Sequence, residues 1–208
     1  MALTLLFALT ACAGNAENGE PSATQPLSTP LATATGEPNP NDVAEPAETD
    51  AKALVVYFSW SGNTEHVAQS IQSQTGADLF EIVPATPYSE DYDTVVDLAQ
   101  EEQQQDARPA IAGGVDDIAQ YDVIYVGYPN WWHTAPMIIG TFLENYDLSG
   151  VEIYPFTQSA SMDTEQFDNS IAFVRQCAGA ATVHDGLFAR PSDTQSIDSY
   201  LSENGLAR

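Results

Sequence analysis

Apolar positions along this chain fall into two alternating textures from residue 53 onward. Short continuous runs, such as Leu54-Val55-Val56-Tyr57-Phe58 and Val123-Ile124-Tyr125-Val126, are followed by longer stretches with apolar residues three and four apart. Continuous runs bounded by turn residues read as buried strands, and the three-and-four spacing reads as amphipathic helix. The pattern predicts strands near 53–58, 78–83, 121–127, 151–156 and 182–188, with helices near 63–75, 91–106, 136–145, 163–178 and 194–203. Strand and helix alternating in this way imply an α/β fold, a parallel sheet covered by helices on both faces.

The first 51 residues have a different texture. Residues 1–12, MALTLLFALTAC, are an apolar stretch too short to span a bilayer and suited to a signal-peptide core. Leu9-Thr10-Ala11-Cys12 resembles the lipobox of bacterial lipoproteins, which implies lipidation at Cys12 and display on the extracytoplasmic face of a bacterial membrane. No Lys or Arg precedes the apolar run, so the natural start is expected upstream. Residues 13–51 are rich in Ala, Pro, Thr, Glu and Asn and lack the apolar content for a core; they are expected to be a disordered tether. As a flexible coil, such a tether spans roughly 35 Å. Residues 52–208 are then one domain of ordinary size.

Charge narrows the partners. Seven of the 30 acidic residues lie in 13–51; the other 23, with all five basic residues, lie in 52–208, which leaves that part near −18 of the total −25. This sign excludes nucleic-acid binding and adsorption to anionic lipid, so a membrane is reached through the lipid anchor only. An acidic surface also steers basic partners, although solubility accounts for it equally well.

The chemistry concentrates where strands end. After the first strand, Ser59-Trp60-Ser61-Gly62-Asn63-Thr64 leads into a helix with Val67, Ala68 and Ile71 on one face. Hydroxyls, a glycine and backbone N–H groups at a helix N-terminus form an anion cradle, most often for phosphate. An ordinary capped turn is the plainer alternative. Neither GxxxxGK[ST] nor GxGxxG occurs in the chain. The lone lysine, Lys52, lies at the other end of the strand, roughly 23 Å from Ser59 at about 3.3 Å per residue. The anion must be gripped by neutral donors.

That turn resembles the FMN phosphate loop of flavodoxins. The resemblance continues in Tyr128-Pro129-Asn130-Trp131-Trp132-His133, similar to the second flavin loop of a flavodoxin-like subfamily, and in Pro84-Ala85-Thr86-Pro87-Tyr88 and Asp91-Tyr92. It covers most of 53–206. It implies a five-stranded doubly wound sheet of order 2-1-3-4-5, with both loops at the switch point between strands one and three. It further implies an FMN phosphate on Ser59, Ser61, Gly62, Asn63 and Thr64, backbone 128–133 along the ring edge, and a tryptophan on a ring face among Trp60, Trp131 and Trp132. Tyr128 is a further available face. In the third loop, Thr157-Gln158-Ser159-Ala160-Ser161, relatives carry a histidine and glycines; here Thr157 and Ser159 are the candidate contacts.

Among remaining reactive residues, Cys177 reads as core packing, and His66 and His184 as structural. His133 is a candidate proton donor through its place in the second loop. No catalytic acid–base pair and no metal-ligand spacing is evident. The resulting expectation is an FMN protein that exchanges electrons with a redox partner protein or small acceptor, at low potential because the surroundings are acidic. Alternatives are an FMN-dependent NAD(P)H:quinone-type reductase and a flavin-free binding module.

Overall fold

The structure is a computed structural model and describes residues 51–208; the expected signal segment with Cys12 and the tether, up to Asp50, lie outside the described residues. The chain forms β1 (Ala53–Tyr57), α1 (Asn63–Thr75), β2 (Asp78–Glu81), β3 (Val83–Pro84), α2 (Tyr92–Gln104), β4 (Ile111–Ala112), a 3-10 turn (Ile118–Gln120), β5 (Val123–Pro129), α3 (Met137–Glu144), β6 (Glu152–Gln158), α4 (Thr164–Cys177), β7 (Thr182–Val183), β8 (Leu187–Phe188) and α5 (Thr194–Glu203).

The main sheet has the order β2-β1-β5-β6-β7, with β8 also paired to β6. All its pairings are parallel, with Val56 opposite Val126 and Val126 opposite Pro155. This is the expected five-position order, with the outermost position shared by two short strands. Period-two alternation assigns each central side chain to a face. Val55, Tyr57 and Tyr125 pack with Val67, Ala68 and Ile71 of α1 and Ile197 and Leu201 of α5. Leu54, Val56, Ile124 and Val126 pack on the other face with Ile138, Ile139 and Phe142 of α3 and Val174 of α4. Fully burying each such aliphatic side chain contributes about 1.5–3 kcal/mol. Gly127 is required by packing: a Cβ there would lie 2.1 Å from the Phe156 ring.

The helix starts follow their caps. Asp91 accepts a hydrogen bond from the Thr94 N–H at 2.9 Å and Asp163 from the Gln166 N–H at 2.9 Å, so α2 and α4 begin one residue after the expected bounds.

Two expectations are corrected. The final strand, expected over 182–188, is broken into β7 and β8. Its cause is Pro155. In β6 the Ile153 and Thr157 carbonyls accept from His184 and Ala189 on the outer side, so Pro155, between them, also faces outward and has no N–H to donate. Across that gap Ile153 pairs with Val183 and Phe156 with Leu187, one residue more on the outer chain than on β6. The strand expected over 78–83 ends at Glu81, and Val83–Pro84 instead pairs antiparallel with Ile111–Ala112 in a separate two-stranded sheet. Two-residue strands carry no readable periodicity.

Candidate functional site

The carboxyl ends of β1, β5 and β6 bring the three predicted loops to one edge of the sheet. The first loop reaches α1 through Gly62, whose φ of 82° is a left-handed conformation that only glycine adopts without strain. The nearest atom to a Cβ at Gly62 would be His66 Cε1 at 4.0 Å, so conformation rather than crowding demands the glycine. No side chain caps the helix at Gly62. The Ser59 hydroxyl accepts from the Glu65 N–H at 3.3 Å and Asn63 Nδ2 donates to Ser61 Oγ at 3.1 Å. The N–H groups of the first helical turn lack intrahelical partners. The Gly62 carbonyl accepts from the His66 N–H at 3.1 Å and lies 2.7 Å from His66 Nδ1. Lys52 is at the opposite end of β1, 3.4 Å from Asp78 and over the Tyr121 ring.

In the second loop, β5 runs two residues further than expected, so Tyr128 and Pro129 belong to the strand, opposite Thr157 and Gln158. The Tyr128 ring is fully buried, its hydroxyl 3.4 Å from Ser170 Oγ, and it offers no face at the site. Trp131 to Thr134 then close a tight turn, with N–H to carbonyl bonds of 2.9 and 3.1 Å in both directions. Its central residues, Trp132 and His133, have φ of 45° and 67°. Two left-handed central residues make a type I′ turn, for which glycine and asparagine are the usual choices. Backbone strain at two bulky residues marks a turn held by its surroundings. Trp132 Nε1 donates to the Val96 carbonyl at 2.8 Å, and Gln103 Nε2 donates to the Trp132 carbonyl at 3.1 Å, so α2 is the clamp. Trp131 is fixed edge-on by Phe58 and Tyr88, with ring centroids 5.3 and 5.2 Å away. Tyr88 donates to both oxygens of Glu102, at 3.1 and 2.9 Å. Burial pushes the Glu102 carboxyl above its ordinary pKa, against the lowering effect of the Tyr88 hydrogen bond.

The third loop is shorter than expected, because β6 extends through Gln158 and places Thr157 inside the strand. Gln158 holds the second loop: its carbonyl accepts from the Asn130 N–H at 3.0 Å. Ser159 turns its hydroxyl to the Ser161 carbonyl at 2.8 Å.

Buried polar atoms without a partner single out the same edge. Among the described residues there are four: Thr64 Oγ1, Asn130 Oδ1, Thr157 Oγ1 and Thr141 Oγ1. The first three fall one in each of the three loop regions. An unsatisfied buried polar group costs about 1–3 kcal/mol, and three of these four atoms gather at this one edge of the sheet.

Beside these loops lies a cavity of about 280 Å³ lined by Trp60, Tyr92, Val95, Val96, Ala99, Asn130, Trp131, Trp132 and His133. It gathers the three tryptophans, Asn130 and His133; Ser59, Ser61, Gly62, Asn63, Thr64, Tyr128, Pro129, Thr157 and Ser159 do not border it. No lining residue is acidic, in a chain of net charge −25. Sequence reasoning missed the α2 wall, Val95, Val96 and Ala99. Helical spacing marks these residues as one face without saying what that face covers.

A parallel sheet of this order, with a hydroxyl-rich turn opening the helix after its first strand and an aromatic loop after the next strand across the switch point, has the flavodoxin-like architecture. Residues 52–201 match the family model described as Flavodoxin, and the chain belongs to that family. A protein of Bacteroides eggerthii named as a flavoprotein is 32% identical, with a TM-score of 0.67; the match covers 74% of this chain and 98% of that one. A Bacteroides uniformis protein, similarly named, is 28% identical with a TM-score of 0.66, over 73% of this chain and 98% of that one. A Lactobacillus acidophilus flavoprotein, whose crystal structure is a complex with FMN, is 26% identical with a TM-score of 0.57, over 71% of this chain and 99% of that one. Among proteins of curated function, none matches.

Proposed function

We propose that residues 52–208 bind FMN and pass electrons through it, as an electron-transfer protein or oxidoreductase. The observation that carries this reading is the glycine-opened, uncharged turn that leads into α1. Gly62 in the left-handed conformation opens α1, and Thr64 beside it holds a buried hydroxyl without a partner. The L. acidophilus relative bound to FMN supports the choice of ligand. Ser59, Ser61, Asn63, Thr64 and the loop amides hold the phosphate. The backbone of 128–133 runs along the ring, with a tryptophan against a face; Thr157 and Ser159 belong to the far side of the seat. When bound, the flavin supplies the redox chemistry, and the protein supplies binding, orientation and a local field. The α2 clamp on Trp132 keeps the second loop rigid.

Equilibrium binding of FMN and riboflavin to the same protein tests this. Each hydrogen bond to a charged phosphate is worth about 1.5–3 kcal/mol. With two such bonds lost, riboflavin should bind at least about a hundredfold more weakly. Ser61→Ala should weaken FMN binding and spare riboflavin. Equal affinity for both ligands refutes the phosphate cradle, and binding of neither favours a flavin-free module.

We further propose that the chain is anchored through lipid on Cys12 and that residues 13–51 stand the domain off an extracytoplasmic membrane face; the LTAC sequence and the tether composition support this. Cys12→Ser should move the protein out of the membrane fraction and change its mature mass. Among the described residues no helix is long and apolar enough to cross a membrane.

A second reading, reduction of a small neutral acceptor such as a quinone with a nicotinamide donor, draws on the aromatic cavity, which no acidic residue lines. Acceptor-dependent oxidation of NAD(P)H by the flavin-loaded protein would favour it over exchange with a protein partner.

A further inference from the structure

The two main segments that line the aromatic cavity offer a flat ring different chemistry. From α2 come Val95 and Ala99, both buried, and the half-buried Val96, and these three side chains are hydrocarbon. Tyr92, at the start of α2, is largely exposed and adds the one hydroxyl of that segment to the lining. Two indole N–H groups of the lining are already engaged with the same stretch of chain. Trp60 Nε1 donates to the Ser89 carbonyl at 2.9 Å, and Trp132 Nε1 to the Val96 carbonyl at 2.8 Å. The second loop brings the polar side chains Asn130 and His133. Within its turn Trp131 and Thr134 bond to each other, while the N–H groups of Trp132 and His133 have no acceptor among the described residues. One cavity thus has hydrocarbon from α2 and hydrogen-bonding groups from the second loop. A cavity of about 150 Å³ holds a benzene ring, so about 280 Å³ suits a single fused ring system.

We propose that α2 seats the methyl-bearing edge of the flavin ring, with Val96 and Ala99 as the residues that determine this orientation. The inference rests on the FMN reading and adds to it the direction in which the ring lies. The isoalloxazine ring is amphiphilic along its length. One end is benzenoid and carries two methyl groups; the other is a pyrimidine whose N–H and carbonyl groups form hydrogen bonds. Turned the other way, the pyrimidine end would meet Val95, Val96 and Ala99 and leave its polar atoms buried without partners, which is unfavourable for each of them. In the assigned orientation the methyl groups leave water against hydrocarbon. The polar end then meets Asn130, His133 and the free N–H groups of the second-loop turn. The indole bonds to Ser89 and Val96 hold the α2 segment in place before any ligand arrives, so little ordering is needed on binding. With its methyl edge covered by α2, the ring meets an electron donor or acceptor elsewhere on its surface.

Three ligands test the orientation on the full chain: FMN, its analogue lacking both ring methyl groups, and 8-chloro-FMN, in which chlorine replaces one of them. Two methyl groups seated on hydrocarbon contribute about tenfold in affinity, so the demethylated analogue should bind about tenfold more weakly than FMN. Ala99→Leu should remove that preference, because the larger side chain takes the space the methyl groups need. Thiophenolate displaces chloride from C8 of 8-chloro-FMN: the carbon–sulfur bond forms as the carbon–chlorine electron pair departs with chloride. With protein in excess, the bound flavin should react at least about tenfold more slowly than free flavin, since reaction must wait for the α2 wall to open. Equal affinity of the wild-type protein for FMN and the demethylated analogue overturns the proposal and leaves the FMN reading intact. Reaction of bound 8-chloro-FMN at the rate of the free flavin does the same. Equal losses of FMN and of the analogue in Ala99→Leu also overturn it, by taking Ala99 away from the methyl groups. Should Ala99→Leu not fold, the wild-type measurements alone decide. Failure of the wild-type protein to take up FMN removes the FMN reading and this inference together.

Discussion

The two ends of the sheet are built on opposite terms. At the amino end polar groups are matched. Lys52 meets Asp78 and the Gln120 side chain, and Tyr121 donates to Asp78 at 2.9 Å. These hydrogen bonds hold the Asp78 carboxyl below its ordinary pKa, the Tyr121 bond first. At the carboxyl end, Thr64, Asn130 and Thr157 keep buried oxygens without partners, and Trp132 and His133 hold a strained turn. The same sheet supplies a settled edge and an edge left incomplete. Binding sites of open α/β sheets lie at the carboxyl ends of strands, and here that edge bears the cost in stability.

Thr64→Val should separate the two ends most sharply. Replacing the orphan hydroxyl by a methyl group removes an unsatisfied buried oxygen, so the ligand-free protein should melt at the same temperature or higher. FMN affinity should nonetheless fall by about 1.5–3 kcal/mol, tenfold or more. A destabilised ligand-free variant with unchanged FMN binding would return Thr64 to an ordinary structural role.

Tyr88→Phe should cost about 1 kcal/mol, because the half-buried Glu102 carboxylate then loses its donor. The sign with pH is fixed. The folded-state pKa of Glu102 is already raised by burial, so its contribution to stability is fully present below the unfolded value and is lost as pH rises through the folded one. Loss of the Tyr88 donor raises the folded pKa further. The gap between variant and wild type should therefore be small at acidic pH and widen toward neutrality, as followed by urea denaturation across pH. A gap that narrows with rising pH contradicts this account.

His133→Gly relieves one left-handed residue and should stabilise the ligand-free protein by up to about 1 kcal/mol. FMN binding should weaken if that turn is preformed for the ring, and calorimetry on both states measures the two effects separately. The smallest effect is expected at the settled end. Lys52→Gln removes an exposed pair worth about 0–1 kcal/mol and should leave FMN affinity unchanged within error. A large loss of FMN affinity there would break the contrast between the two edges.

How much of this was legible in the residues follows the same division. Long apolar runs revealed β1 and β5 because both faces of these strands are buried, and apolar residues three and four apart located the helices. The three loops stand out because hydroxyls, glycine and tryptophans depart from what a simple turn requires. What was hidden depends on pairing. The break between β7 and β8 arises from Pro155 on a neighbouring strand, and β3 and β4 are too short for a pattern of their own. The wall that α2 contributes and the burial of the Tyr128 ring are both contacts between distant segments. Residue order contains them without displaying them.

The break that Pro155 imposes also bears on how the molecule behaves in a crowd. A parallel sheet has two open margins, each a template onto which another chain can add by hydrogen bonding. One margin here is β7 and β8, two residues each with a gap between them. The other is β2, four residues long, which begins and ends on the exposed acids Asp78 and Glu81. One margin is broken and the other is short and carries exposed carboxylates, so growth of the sheet from copy to copy is discouraged at both, and the proline that interrupts the fold's regularity also protects its own margin against aggregation.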